Sequence, residues 1–515
     1  MITLSTIFSR RGGKGLAGVA GLALMVGAMF VTSCDKDDND SDTPATRITI
    51  TLSAAMEQPS GDTKTQLNST TVIWSASDQI KVYDNADNPK FSTLTAGSAG
   101  ETSTNFTGEE PDGYLTPSYA IYPASAATGC NSTGTITFTL PATQSYVANS
   151  FGNGCNIAVG KVENDAIAFK NVCGYLKLQL KLEEGYAFTV GKIVLKGNSN
   201  EKLNGTFSVD ASNTTNPTAT TSGTPTAAEK TITLDCGDGV ALSATEATNF
   251  YFVVPVGAFA TSGFTAAIYS TSGALKSSLT VTNKQNTINR SMVRVMPEKE
   301  IQMLTVPNEY TELEYLRCDA YAYINTGYTV DYTDLKLEYK YLKTDNLEAN
   351  PLGVDRQSSG NQEVSGEREM HGHIFSSSGY YGNSQVMNIG TQLLNTVYTV
   401  TFEISEAAGY GTWNINGNTY SGSNKGMNSW SIARCPDFLF ATNSGGKDSD
   451  DKWTPNYKMT GRLYYAIYYK NGATIPERYF VPVRRISDSV LGMYELMTNT
   501  FFTNDGSGSF YAPGE

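Results

Sequence analysis

Apolar and polar residues alternate along most of this chain. The cleanest example is Leu176–Leu182, in which four leucines are separated by two lysines and a glutamine. A period of two places successive side chains on opposite faces of a strand, so this segment predicts a strand with one buried and one wet face. Similar runs occur at Ile136–Leu140 and Leu335–Tyr341, between turns rich in Gly, Asn, Ser and Thr. No run of ten or more residues has a helical period, and the pattern predicts an all-β protein.

The alternation falls into two blocks. It begins after Arg47, where Ile48, Ile50 and Leu52 fall on one side, and it is interrupted at Pro297–Pro307. Short strands with regular turn punctuation are typical of sandwiches and jelly rolls. We therefore expect two β-sandwich domains in tandem. They are predicted at residues 46–300 and 308–515, with a linker at 301–307.

The N-terminal stretch has a different pattern. Three positive charges (Arg10, Arg11 and Lys14) precede an uncharged apolar segment from Leu16 to Val31. This order is typical of a secretory signal, and the apolar run is short for a membrane span. We expect a signal peptide at residues 1–33 and an acidic flexible tether at 34–45. A signal cleaved elsewhere and an uncleaved anchor are the alternatives.

The end of that signal carries a cysteine. Val31-Thr32-Ser33-Cys34 resembles a bacterial lipobox, which implies that Cys34 receives the lipid and becomes the first mature residue. The following Lys36-Asp37-Asp38 resembles the acidic tag of lipoproteins exported to the outer face of the Gram-negative outer membrane. The resemblance implies a surface-exposed protein anchored in the cell outer membrane through Cys34. Acyl chains give stable anchoring because each buried CH₂ contributes about 0.8 kcal/mol.

The net charge and the spacing of the cysteines argue against some classes of ligand. The net charge is −13 and there is no Lys/Arg stripe, which argues against nucleic acid because phosphate binding needs a basic surface. The cysteines beyond Cys34 show no metal-binding spacing. Cys130 and Cys155 lie in Gly/Asn-rich turns and could pair, or all could be buried thiols. The six are Cys130, Cys155, Cys173, Cys236, Cys318 and Cys435.

Several segments of the first block resemble the fimbrillin-like family of surface pilins. They are Ile73-Trp74-Ser75, Asp78–Val82, Tyr119–Pro123, Leu140-Pro141 with Gln144, Phe169–Leu176, Ile193–Gly197, Gly205 and Tyr251–Pro255. The resemblance implies a pilin-like sandwich whose precursor is cut after an arginine, so that a neighbouring subunit adds a strand. Arg47 is the candidate cleavage position; an ordinary arginine at a strand edge is the alternative. A further 200 residues after this block favour a tip or accessory subunit over a shaft pilin.

The second block resembles laminin-G-like, concanavalin-type domains of gut-bacterial surface proteins. The segments are Tyr310–Leu316, Tyr323–Tyr328, Leu463–Gly472, Phe480–Val483, Gly492–Glu495, Phe501–Asn504, Gly506 and Gly508–Phe510. The resemblance implies a lectin-like jelly roll whose relatives mostly bind carbohydrate or protein. Because such a fold hosts many functions, the function must be argued from a site.

Catalytic and metal-binding patterns are weak. Glu367 and Glu369 would share a strand face, but the further carboxylates and aromatics of a jelly-roll glycosidase do not accompany them. There is also no GxSxG, HExxH or P-loop motif. We therefore expect no enzyme activity and no cofactor.

Two groups of residues could hold a metal. His371 and His373 are two apart but have no evident third ligand. The acidic run Asp448, Asp450 and Asp451 could supply oxygens to Ca²⁺, but it lacks the spacing of a defined calcium loop. We expect both groups to be structural.

Aromatic residues in polar surroundings are the candidates for ligand binding. A glycan site needs exposed aromatic rings beside Asn, Asp or Gln side chains. Trp430 and Trp453 lie in stretches rich in Asn, Ser and Lys, and Tyr380 and Tyr381 lie among Ser and Gly, whereas Trp413 fits a strand before a tight turn. Partly buried packing residues are the alternative for each.

The expected function is adhesion. We expect a fimbrial tip or accessory subunit that presents a carbohydrate- or protein-binding jelly roll, with other pilins as possible partners. One alternative is a glycan-binding lipoprotein of a polysaccharide uptake system that does not polymerise. A glycoside hydrolase is the third class, and it requires a carboxylate pair about 5–10 Å apart.

Overall fold

A computed structural model gives the fold of this chain, and its compact unit runs from Ile48 to Glu515. The structure describes residues 48–61, 72–199, 201–282, 286–319, 321–330, 335–345, 350–353, 355–356, 369–375, 378–382, 384–388, 393–405, 410–421, 436–456, 458–470 and 472–515.

The secondary structure of these residues is β throughout, apart from two single 3₁₀ turns at Ala124–Ala126 and Ala228–Lys230. The all-β prediction is therefore confirmed. None of the helical turns in the described ranges has the length and apolar character needed to cross a bilayer.

The strands are numbered in chain order. The first group comprises β1 Thr49–Met56, β2 Ser60–Gly61, β3 Gln79–Asp84, β4 Phe91–Ala96, β5 Ser103–Glu109, β6 Pro117–Tyr122, β7 Ala127–Cys130, β8 Thr135–Leu140, β9 Thr143–Ser145, β10 Ala158–Glu163 and β11 Ala166–Asn171. The second comprises β12 Gly174–Leu182, β13 Thr189–Gly197, β14 Gly205–Asp210, β15 Thr231–Ala241, β16 Thr248–Val254, β17 Phe264–Ser270, β18 Leu275–Val281 and β19 Met292–Ile301. The third comprises β20 Tyr310–Glu312, β21 Leu316–Cys318, β22 Ile324–Asn325, β23 Lys336–Lys343, β24 Leu352–Gly353, β25 Asp355–Arg356, β26 Glu369–Phe375, β27 Ser378–Gly382, β28 Ser384–Asn388, β29 Val397–Ser405, β30 Tyr410–Ile415, β31 Asn418–Ser421, β32 Phe438–Leu439, β33 Thr442–Lys447, β34 Trp453–Asn456, β35 Gly461–Tyr469, β36 Arg478–Arg485, β37 Leu491–Glu495, β38 Thr500–Phe502 and β39 Phe510–Tyr511.

The first strand belongs to a closed barrel with the order β1-β11-β10-β6-β3-β4-β5. Alternation in β1 buries Ile50 and Leu52 in the barrel core as expected, whereas Ile48 precedes the strand and is exposed. Both edges of β1 are paired, antiparallel with β5 and parallel with β11. Because β1 begins at Thr49, a cut after Arg47 would leave this strand in the barrel.

The barrel and the following sandwich are interleaved along the chain. Strands β2, β7, β8 and β9 leave the barrel sequence and pair in the sheets of the sandwich, and β10 then returns to the barrel. The sandwich sheets have the orders β16-β12-β19-β2, β18-β17-β13-β15-β9 and β14-β8-β7. These crossings place the barrel and the sandwich together within the block that the sequence predicts at residues 46–300.

The predicted interruption at Pro297 is wrong, because β19 continues through Pro297 to Ile301. The order β16-β12-β19-β2 explains why a proline is tolerated there. Strand β2 covers β19 only at Met292 and Val293, so Pro297 lies on an exposed edge, and the pairing with β12 shifts register nearby. Proline is compatible with edge strands and bulges because its missing N–H breaks no ladder hydrogen bond there.

The C-terminal sandwich is built on one large sheet, β31-β30-β29-β23-β35-β36-β37-β38, to which β20, β21 and β39 are added. Smaller sheets are β22-β32-β24, β25-β26-β27-β28 and β33-β34. The main core contains Trp413, Tyr339 and Tyr468, all fully buried. Trp413 lies in β30 before the Asn416-Gly417 turn, which confirms the sequence prediction for this residue.

The described cysteines are free thiols. They are Cys130, Cys155, Cys173, Cys236 and Cys318. Of the two alternatives left open by the sequence, the structure therefore has the unpaired thiols at Cys130 and Cys155.

Candidate functional site

The residues predicted for binding and processing fall in different parts of the molecule. Cys34, Arg47 and Trp430 lie outside the described residues. Tyr380 and Tyr381 lie in β27, for which the structure describes the backbone. The predictions for these five positions therefore stay predictions.

Three of the weak catalytic and metal candidates, Glu369, His371 and His373, lie in β26 of one small sheet. Glu367 lies outside the described residues, and Glu369 begins β26. Across the β26–β27 ladder, His371 is paired with Tyr381 and His373 with Tyr380. Within the described part of the chain, no group of three or more His, Cys, Asp or Glu side chains is arranged to hold a metal.

The acidic run after β33 forms a turn that satisfies its own backbone. The Asp448 carboxylate accepts hydrogen bonds from the backbone N–H groups of Asp450 (2.9 Å) and Lys452 (3.0 Å). Asp451 pairs with the ammonium of Lys447 at 2.9 Å. Such Asx hydrogen bonds are the usual reason for aspartate in a turn.

Trp453 follows this turn as the first residue of β34. Its ring is half-buried and packs against the main core of the C-terminal sandwich. The Lys447 ammonium lies 5.0 Å from the ring centroid, a cation–π contact. The tryptophan therefore positions the turn and has a packing role in addition to any contact with a ligand.

Two tyrosines that the sequence reasoning did not select lie near this turn. Tyr321 is 61% exposed, and the Lys458 ammonium lies 5.4 Å from its ring centroid. Tyr323 is half-buried and stacks on Phe438, with ring centroids 4.9 Å apart. Both tyrosines lie in the loop between β21 and β22.

This loop interlocks with the loop between β38 and β39. Asp505 donates its backbone N–H to the carbonyl oxygen of Tyr323 at 2.8 Å, and its carboxylate accepts the Asn325 N–H at 2.7 Å. Glycines permit this close approach: a Cβ at Gly506 would lie 1.9 Å from the Tyr321 carbonyl oxygen. These contacts fix the positions of Tyr321, Tyr323 and Asp505 relative to one another.

The acidic turn interacts electrostatically with Tyr323. Burial raises the pKa of Tyr323, and the negative charges of Asp505 and Asp448 raise it further. The pKa of Asp505 is also raised, mainly because its carboxyl group is desolvated although the residue as a whole is exposed. The Asn325 hydrogen bond and the positive charge of Lys452 oppose that increase.

We define the three-loop site as Tyr321, Tyr323, Asp448, Lys452 and Asp505. It offers aromatic ring surface beside two carboxylates and the Lys452 ammonium group, and the Lys458 ammonium lies over the Tyr321 ring. Aromatic rings supply contact area for the apolar face of a ligand, and a few fixed polar groups supply orientation and specificity. This combination can bind a polar, ring-shaped ligand without covalent chemistry.

Sequence reasoning found only one side of this site. Trp453 was selected as a ligand-binding candidate, whereas the acidic run was considered for Ca²⁺ and expected to be structural. Tyr321, Tyr323 and Asp505 were not selected, since the pairing of two loops nearly 200 positions apart decides their proximity. The Tyr323–Tyr328 and Gly506–Phe510 segments were noted only for their family resemblance.

A cavity lies elsewhere in the C-terminal sandwich, beside Pro307 and Asn308. It has a volume of about 590 Å³ and is lined by Tyr310, Tyr494, Ile486 and Arg485, among others. The Arg485 guanidinium is committed to Asp488 through hydrogen bonds of 3.0 and 2.7 Å. The other polar side chains in the lining include Asn308, Glu309 and Ser487.

The solved structures described below resemble this chain distantly. No protein-family model matches the chain. No curated protein matches it either. A Bacteroides ovatus structure described as a "putative cell adhesion protein" is 13% identical, with 50% of this chain and 96% of that chain covered and a TM-score of 0.29. A second structure from Bacteroides ovatus, a "putative carbohydrate binding protein", is 10% identical, with 66% of this chain and 93% of that chain covered and a TM-score of 0.27. A Trypanosoma rangeli sialidase mutant with trans-sialidase activity is 11% identical, with 75% and 76% covered and a TM-score of 0.22. At TM-scores below 0.5, these likenesses do not determine the function of this chain.

Proposed function

We propose that this chain is a non-enzymatic, lipid-anchored adhesin of the cell surface, and that its C-terminal sandwich binds glycans at the three-loop site. The observation that carries the binding proposal is the position of Asp505. Its backbone and carboxylate bind the loop of Tyr321 and Tyr323, so that aromatic and acidic groups share one surface. Because these groups are held by main-chain hydrogen bonds, little ordering is needed on binding.

The charges of the site favour a neutral glycan. Asp448 and Asp505 bear negative charge near Tyr323, and Lys452 lies close enough to influence Asp505. A strongly anionic ligand would meet both carboxylates, whereas sugar hydroxyls can donate to carboxylates and accept from an ammonium group. The net charge of −13 also disfavours anionic polymers.

A glycan array probed with the compact unit Ile48–Glu515 tests the binding proposal. Glycans that give signal are then titrated calorimetrically against Tyr321→Ala and Asp505→Asn. We expect each variant to weaken binding at least tenfold, since each removes one of the two kinds of contact. Tyr186→Ala is the matched control, because Tyr186 is an exposed tyrosine of the other sandwich.

The outcomes separate clearly. Wild-type affinity in Tyr186→Ala with loss in the two site variants supports the three-loop site. An array without signal, or site variants that bind like the wild type, contradicts the proposal. Release of free sugar from a bound glycan would contradict the non-enzymatic part.

The anchoring proposal rests on the sequence around Cys34. Replacement Cys34→Ala is expected to abolish acylation and to release the protein from the membrane fraction, because the lipid is the only anchor proposed. The measurement is mass spectrometry of the N-terminal peptide together with protease accessibility on intact cells. Retention of the variant in the outer membrane would contradict anchoring through Cys34.

The fimbrial part of the proposal concerns Arg47 and partner pilins. An accessory or tip subunit is expected in a heat-sensitive, high-mass complex with other pilins, with its mature N-terminus at Ile48. A monomer that begins at a lipidated Cys34 would instead support a glycan-capture lipoprotein of an uptake system. Native capture from cells followed by N-terminal sequencing distinguishes the two.

A further inference from the structure

A concave site lies far along the chain from the three-loop site, where the barrel meets the first sandwich. The segment before β3 supplies Ile73 and Asp78, and β6 supplies Tyr122. The segment between β9 and β10 supplies Phe151 and Asn153, among others. These residues surround a cleft of about 250 Å³.

One wall of the cleft is a fixed acid–phenol pair. The Asp78 carboxylate accepts hydrogen bonds from the Tyr122 hydroxyl at 3.0 Å and from the Ser75 backbone N–H at 2.7 Å. Burial and the nearby Asp78 charge raise the pKa of Tyr122, so its hydroxyl stays protonated and donates to Asp78. The carboxylate is therefore held in place by two donors and retains acceptor capacity for a ligand, since it has about four lone-pair sites.

Another part of the lining carries amide and aromatic groups. Asn156 is buried, donates to the Asn171 side chain at 2.9 Å and accepts from the Tyr175 hydroxyl at 2.8 Å. Phe151 stacks on Tyr175 with centroids 5.0 Å apart, which fixes the orientation of its ring. Asn153 is exposed, and its carboxamide makes no hydrogen bond within the described part of the chain.

Size and charge restrict the ligand. The volume lies below the range of about 300–1,000 Å³ typical of sites for drug-sized molecules, which suits one small ring. The lining contains the Asp78 carboxylate and no lysine or arginine, so anionic ligands are disfavoured. Planar polar side chains beside an aromatic and an aliphatic residue suit a molecule with hydroxyls at its rim and C–H groups on its face.

We propose that this cleft binds one neutral pyranose ring, as a free monosaccharide or as the terminal residue of a glycan. Asp78 and Asn153 bind its hydroxyls, and Phe151 and Ile73 contact its C–H face. This site is independent of the three-loop site, and the chain therefore carries two separate sugar sites on different parts of the fold.

The test uses the compact unit Ile48–Glu515 and glucose, galactose, mannose and N-acetylglucosamine, with galacturonate as the anionic comparison. Binding is measured by ligand-observed NMR and calorimetry. Ser75→Trp is expected to fill the cleft and abolish binding, and Asn153→Ala to weaken it at least threefold. Ser77→Trp is the matched control, because Ser77 is exposed on the same loop and does not line the cleft.

The variants also distinguish binding at the cleft from binding at the three-loop site. Saturable binding of a neutral sugar that Ser75→Trp abolishes, and that Ser77→Trp and Asp505→Asn leave unchanged, supports the proposal. The absence of saturable binding by all four neutral sugars overturns it, as does binding that Ser75→Trp leaves unchanged in the Asp505→Asn background, in which the three-loop site is weakened. A preference for galacturonate over the neutral sugars overturns the assignment of the ligand class. Loss of array signal in Asp505→Asn concerns only the three-loop site.

Discussion

The guanidinium of Arg290 binds the carboxylate of Glu57 with two hydrogen bonds, of 2.5 and 3.1 Å, although 233 positions separate the two residues. Glu57 follows the first barrel strand, and Arg290 precedes β19 of the sandwich. The same guanidinium donates to the carbonyl oxygen of Asn171 at 2.9 Å, and the Asn171 N–H donates to Glu57 at 2.9 Å. This ion pair therefore connects the barrel to the sandwich at the point where the chain crosses between them.

Replacement of Arg290 should destabilise this junction. Arg290→Met leaves the partly buried Glu57 carboxylate without its main partner, so we expect the free energy of unfolding to fall by about 2–3 kcal/mol. Arg485→Met is the control, since it breaks an exposed pair with Asp488, and its effect should be much smaller. Chemical denaturation of both variants gives the comparison. Equal effects would show that the junction pair has no special weight.

The Glu57–Arg290 pair also predicts that the stability of the protein depends on pH in the acid range. Burial alone raises the pKa of Glu57, but the hydrogen bonds and charges of its partners, chiefly Arg290, lower it below 4.5. A carboxyl group whose pKa is lowered by folding contributes stability above its unfolded pKa, and that contribution is lost as the pH falls through the folded value. Stability should therefore decrease below about pH 4.5, and Glu57→Gln should make this decrease shallower. An unchanged slope in the variant would contradict this account.

The buried Lys343 predicts that the free energy of unfolding depends on pH above neutrality. This residue ends β23 and is only 2% exposed, and burial lowers its pKa from 10.5 to about 7. Between these values the unfolded chain holds a proton on Lys343 that the folded chain lacks, so the contribution of Lys343 to the free energy of unfolding rises with pH, by up to about 1.4 kcal/mol per pH unit. Lys343→Met should stabilise the protein at pH 7 and remove this rise.

Urea denaturation of the wild type and of Lys343→Met at pH 7, 8 and 9 measures the difference in slope, from which the cysteine thiols cancel because both proteins contain them. Lys340→Met is the control, because Lys340 lies in the same strand and is less buried. The prediction fails if Lys343→Met keeps the pH dependence of the wild type.

Gly506 predicts a link between loop geometry and binding. A Cβ at this position would meet the Tyr321 carbonyl oxygen at 1.9 Å and a ring carbon of Tyr323 at 3.0 Å. Gly506→Ala should therefore separate the two loops, at a cost of about 1–3 kcal/mol, and glycan affinity should fall. Gly129→Ala is the matched control, since a Cβ there meets no atom within 4 Å. Calorimetry and thermal melting of the two variants check the prediction, which wild-type binding by Gly506→Ala would contradict.

The alternating pattern was sufficient to predict the fold class and many strands. The Leu176–Leu182 alternation became β12, and the run before Tyr341 became β23. Alternation reports only which face of a strand is buried. It could not show that β2 and β7–β9 pair outside the barrel, because strand pairing depends on contacts between distant segments.

The candidate site shows the same limit. Trp453 was a ligand-binding candidate from the sequence and directly follows Lys452 of the three-loop site, whereas Asp448 was expected to be structural. Tyr323 and Asp505 could not be selected, because 182 positions separate them and only the folded loops bring them together. The Pro297 error has a related cause, since a proline ends a central strand but not an edge strand.

A structure of the compact unit bound to the strongest glycan of the array would test the central claim most directly. The account predicts a sugar ring within about 4 Å of the Tyr321 or Tyr323 ring, with hydroxyls hydrogen-bonded to Asp448, Lys452 or Asp505. A glycan bound only at another surface of the C-terminal sandwich, or only in the cleft beside Asp78, would contradict the assignment of glycan binding to the three-loop site.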